Sequence, residues 1–175
     1  VEIIDLARGE RLPPWLVQAI TSPEYIKHAY NATFEWGCLS KFLGTLPPDQ
    51  WRCTMFHGLY CGYTAGLDAT GKALGLAEDK RKLNTGKALI RYFCVPCAPT
   101  KANGGRTRNL PQHDTDKWEL FKEYCRQDVV TEMEIERRLS AFPVPDFVQK
   151  QWETDLIINA PVSYTHLRAH ETPEH

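Results

Sequence analysis

An α/β domain is the fold class that this sequence predicts, on three observations. Short runs rich in apolar and aromatic residues, at 1–6 and 25–30, alternate with segments of helical period. Breakers mark the joints between them: Pro13-Pro14, Pro23, Gly44 and Pro47-Pro48. One long amphipathic stretch, 116–140, carries apolar side chains at i, i+3 and i+4. At 175 residues the chain has the size of one domain and can bury a genuine core.

Residues 1–6 read as a short strand. Pro13-Pro14 then opens a helix through Ile20, since proline suits a first turn, and Thr21-Ser22-Pro23 breaks it. A strand follows at 25–30 and a helix at 32–42, ended by Gly44. Residues 51–60 start extended and become helical, with the switch point left open. Two short helices are expected at 67–74 and 85–93, then a long loop rich in proline, glycine and asparagine at 94–113. Asp116 with Glu119 reads as a capping box for the last helix, which Pro143 and Pro145 stop.

Composition excludes several classes. No apolar run approaches a membrane span, no charged-then-apolar leader opens the chain, and no repeat or low-complexity tract is present. Six cysteines without a regular framework suggest reduced thiols and a cytoplasmic protein. Cys94-Val95-Pro96-Cys97 has ligand-like spacing, but no matching second pair completes a zinc site, so a loop is the better reading. The net charge is −1, yet residues 80–113 carry Lys80, Arg81, Lys82, Lys87, Arg91, Lys101, Arg106 and Arg108 and no acid. Such a segment, with Gly104-Gly105 allowing close backbone approach, suits contact with a phosphate backbone.

Chemistry concentrates in Tyr124-Cys125-Arg126-Gln127-Asp128. At four-residue spacing the phenol and the carboxylate share one helical face. Phe121, Tyr124, Asp128, Thr131 and Ile135 extend that face as a stripe pressed toward the protein. A carboxylate to hold a divalent cation and a hydroxyl to orient water are what a metal-dependent phosphodiesterase requires. Asn31-Ala32-Thr33-Phe34-Glu35, delivered by the strand at 25–30, places a second carboxylate at the start of a helix.

Together these residues resemble the second and third motifs of the DEDD nucleases, the latter in its tyrosine form. The blocks 51–76, 82–97 and 99–139 are similar in order and spacing to the 3′–5′ proofreading exonuclease domain of phage-type family A DNA polymerases. The resemblance covers roughly residues 1–159 and implies an RNase H-like fold. It implies hydrolysis of the 3′-terminal nucleotide of mispaired DNA with two divalent ions, Mg²⁺ or Mn²⁺. Asp128 and Glu35 would be metal ligands, and Tyr124 would orient the attacking water. Asn31 would support Glu35 or touch the terminal nucleotide, and Lys101, Arg106 and Arg108 would contact DNA. The implied partners are a single-stranded 3′ end and a polymerase domain of the same chain.

Two departures follow from the resemblance. The first motif, Asp-x-Glu, is absent; Asp5-Leu6-Ala7 is its nearest imitation. The fold is therefore expected to be incomplete, lacking the first strands of its sheet, and the chain alone to be inactive. Glu35 also stands where many relatives have aspartate. Residues 1–142 are read as the exonuclease-like domain and 143–161 as the start of a linker toward a polymerase domain. Residues 162–175 resemble a translated sequencing-library adapter and are read as non-native. That reading removes His166-x-x-x-His170-Glu171 from consideration as a zinc pattern. A stand-alone DEDD exonuclease and a non-catalytic DNA-binding scaffold are the two alternative readings.

Overall fold

The computed structural model describes residues 1–76 and 86–169. The basic residues Lys80, Arg81 and Lys82, the start of the helix expected at 85–93, and residues 170–175 lie outside them. Two parallel strands, β1 (Lys27–Ala29) and β2 (Trp51–Cys53), pair in the register Lys27↔Trp51, His28↔Arg52, Ala29↔Cys53. Helix α1 (Pro14–Thr21) precedes them, and α2 (Ala32–Leu43) is the crossover that parallel pairing requires. Then come α3 (Thr54–Tyr60), α4 (Leu67–Ala73), α5 (Gly86–Cys94), α6 (Thr115–Leu139) and α7 (Asp146–Ala169).

The expected switch within 51–60 falls between Cys53 and Thr54. The Cys53 sulfur accepts from the Phe56 amide, so the last residue of β2 caps α3. Helix α2 turns Ala32 and Trp36 inward, and the Trp36 indole donates to the Leu46 carbonyl at 2.9 Å. Trp51, Cys53, Trp152 and Leu156 complete that cluster, which seats α7 on the sheet. Leu67, Leu76, Ile135 and Leu139 form a second cluster between α4 and α6, and Leu89, Phe93 and Tyr124 a third between α5 and α6.

Two expectations are corrected. Residues 1–6 form no strand: the segment lies along α6, where the Trp118 indole donates to Asp5 at 2.7 Å and Arg126 to the Val1 carbonyl at 2.8 Å. Asp5 is buried there and also accepts from the Arg8 amide, so this apolar run is held by side chains and not by a sheet edge. Helix α6 is capped by Asp114, which accepts from the Lys117 amide, and not by Asp116. Glu119 instead pairs with Arg8 and Lys122, so no capping box forms. Among the described residues, no helix is long and apolar enough to cross a membrane.

Candidate functional site

Three carboxylates from two helices line one cleft beside the end of β1. Glu35 lies in the first turn of α2, while Asp128 and Glu132 sit one turn apart on α6. With His28, Tyr30 and Asn31 they line a cleft of about 550 Å³. Asn31 makes the sharp strand-to-helix turn, at φ 65 and ψ 49, and is the one non-glycine at positive φ among the described residues. Asparagine tolerates that left-handed backbone better than most residues. Its side chain makes no capping hydrogen bond and stands at the cleft. The Tyr30 hydroxyl reaches the Ala65 carbonyl at 3.2 Å and Thr70 at 3.3 Å, which fastens the rim to α4.

The electrostatics follow from crowding acids into a place with little water. Burial lifts the Glu35 carboxyl above its ordinary range; its own backbone amide opposes this, and the charge of Glu132 adds to it. Burial likewise lifts Glu132, against a hydrogen bond from Thr54 and with the help of Glu136. Like charges near one another and low local polarity both disfavour ionisation. Oε2 of Glu35 is buried and makes no hydrogen bond. Burial first, then a hydrogen bond with Asp128 and its charge, hold the Tyr124 phenol protonated far above its ordinary range.

The structure brings Asn31, Glu35 and Asp128 to one cleft. It does not bring Tyr124 onto that lining. Tyr124 is 3% exposed, stacked on Phe121, and reaches the site through Asp128. Among the described residues, none of the loop cations lines the cleft either. Arg106 is engaged inside its own loop, donating to Asn109 at 2.9 Å and to the Asn103 carbonyl at 3.1 Å. Lys101 and Arg108 are exposed on the same loop. Glu132 escaped the sequence reading, although it follows Asp128 by one turn and lies beside Thr131 on the buried stripe.

A cleft with converging carboxylates, one of them with a buried oxygen that makes no hydrogen bond, has the donor chemistry of a hard-cation site. Glu35 and Asp128 would contribute its ligands. Among the described residues, no three acidic, histidine or cysteine side chains stand close enough to enclose an ion by themselves. A second cleft of about 380 Å³ lies between β2, α3 and the start of α7, lined by His28, Arg52, His57, Glu136 and Asp146. Its charges are mixed, and the His57 Nε2 is held by the Phe142 carbonyl at 2.7 Å.

Over 160 residues the chain is 52% identical to a protein of Bacillus phage SP02 described as a DNA polymerase. The chain is similar to a phage DNA polymerase. The match takes in 91% of this chain and 24% of the phage polymerase, so the chain spans about a quarter of that relative's length. No protein-family model and no solved structure matches the chain.

Proposed function

We infer that this chain is the 3′–5′ exonuclease portion of a DNA polymerase, with an RNase H-like fold, acting on a single-stranded 3′ end. The observation that carries this reading is the meeting of Asn31, Glu35 and Asp128 at one cleft. These are three of the four residues that the motif resemblance singled out, Tyr124 being the fourth, and they come from segments almost a hundred positions apart. The similarity to the phage SP02 polymerase supports the same reading.

The chemistry is phosphodiester hydrolysis. A water oxygen bonds to the terminal phosphorus while the bond to the 3′ oxygen of the penultimate nucleotide breaks. That oxygen takes up a proton, and a nucleoside monophosphate leaves. Glu35 and Asp128 would hold Mg²⁺ or Mn²⁺ at this cleft, and Asn31 would offer its amide to the terminal nucleotide. Tyr124 acts through its hydrogen bond with Asp128, fixing which way that carboxylate faces. Two bound ions would stabilise the attacking and leaving oxygens together. Two carboxylates are few ligands for two ions, so the chain by itself is expected to bind a cation and to release no mononucleotides.

A non-catalytic DNA-binding domain is the second reading, and the burial of Tyr124 away from the cleft favours it. Calorimetric titration with Mn²⁺ separates the two. Binding lost in both Glu35→Gln and Asp128→Asn supports the metal site. Absence of binding in the unmodified chain supports the scaffold reading.

A further inference from the structure

The geometry points to Gly86 as a positioning residue for the Tyr124–Asp128 pair: its missing side chain lets α5 close over the phenol ring and hold the hydroxyl against the carboxylate. The inference rests on the reading of Asp128 as a metal ligand and adds to it a part played by α5. A Cβ built on Gly86 would stand 2.1 Å from Cε2 of Tyr124, 2.5 Å from Cζ and 2.6 Å from Cδ2. Among the described glycines no other meets a neighbour closer than 3.6 Å. The backbone of Gly86 is not in the left-handed region, so conformational freedom does not explain glycine here; space does.

Aromatic neighbours pack the ring on its other side. Phe121 stacks against Tyr124 with centroids 6.2 Å apart and planes 8° from parallel, and Phe93 of α5 stacks in turn on Phe121 at 5.5 Å. Leu89 and Phe93, both 4% exposed, anchor α5 to α6 on the same side. Any side chain at Gly86 therefore displaces either the helix or the ring. In both cases the hydroxyl moves relative to Asp128, and a ligand that loses its orienting partner binds metal less well.

The test measures Mn²⁺ affinity by calorimetry for the unmodified chain, Gly86→Ala, Tyr124→Phe and the double variant. The ¹³Cζ resonance of Tyr124 is followed in tyrosine-labelled protein and assigned by its loss in Tyr124→Phe. Expected are losses of about tenfold in each single variant, with no further loss in the double. The Tyr124 resonance in Gly86→Ala should move toward those of the exposed Tyr25 and Tyr60. A folded Gly86→Ala with unchanged affinity, or losses that add in the double variant, overturns the proposal. If the unmodified chain binds no Mn²⁺, the metal reading fails on its own. The resonance then decides: a shift supports the positioning role and an unmoved line overturns it. Should Gly86→Ala not fold, Gly86→Ala with Tyr124→Leu removes the ring it strikes. Recovery of the fold supports the contact, and continued unfolding overturns it.

Discussion

The Thr54 hydroxyl donates a hydrogen bond to Oε1 of Glu132, joining the first residue of α3 to a buried carboxylate on α6. Thr54 is 1% exposed and Glu132 is 7% exposed, so water offers neither a substitute. This bond ties the end of the sheet to the helix that carries Asp128. Replacing Thr54 by valine keeps the volume and removes the donor. The expected loss is about 1.5–3 kcal/mol in urea unfolding at neutral pH, the range for a hydrogen bond to a charged group. The loss should shrink in acid, where Glu132 is protonated.

The burial of Glu35 and Glu132 sets a pH dependence of definite sign. Both carboxyls are raised in the folded protein, so the folded state keeps protons that the unfolded state has released. Their contribution to stability is therefore greatest below the unfolded value near 4.5 and declines as pH climbs through the raised folded values. Glu132→Gln retains an oxygen to accept from Thr54 and cannot ionise. Its stability relative to the unmodified chain should rise from pH 4 to pH 7 in paired urea titrations. A constant difference would mean that burial does not raise the Glu132 carboxyl in the folded protein.

One buried acid, Asp5, is among the ties that hold the N-terminal segment to α6. Asp5 receives the Trp118 indole and the Arg8 amide, with Arg8 and Lys122 nearby at 3.9 Å. Asp5→Ala leaves the indole donor without that partner and should cost about 1–3 kcal/mol. Amide exchange should speed up over residues 1–10 while the amides of α2 keep their protection. Equal loss of protection in both would show that the segment is part of the core.

The loop cations divide by what already holds them. Lys101 and Arg108 are exposed, whereas Arg106 braces the turn around Asn103. On a single-stranded oligonucleotide, Lys101→Ala and Arg108→Ala should each lower the slope of log K against log salt by about 0.7. Arg106→Ala should destabilise the loop and leave that slope nearly unchanged. Three equal slopes would show that Arg106 also faces the phosphates.

Helix α2, the short strand at Lys27–Ala29 and the inward stripe of α6 were legible because each rests on local periodicity and local breakers. The strand expected at residues 1–6 was not, because a strand exists only with a neighbour, and that run finds α6 instead. Asp116 resembled a helix cap by its spacing to Glu119, but Asp114 lies where the first free amides point. Asn31, Glu35 and Asp128 were singled out by the resemblance to a known family and not by spacing alone, and the cleft gathers them. Glu132 required knowing that Thr54, far off in sequence, would be buried opposite it. The placement of Tyr124 beneath α5 depends on the room left by Gly86, which no periodicity records.

The central claim, that this cleft excises 3′-terminal nucleotides, is tested most directly in a chimera. The matching stretch of this chain replaces its counterpart in the phage SP02 polymerase, and release of a mispaired 3′-terminal nucleotide is measured alongside DNA synthesis. The account predicts excision that depends on Mg²⁺ and disappears in Asp128→Ala while synthesis continues. A chimera that synthesises DNA but excises nothing, or whose excision survives Asp128→Ala, would contradict it.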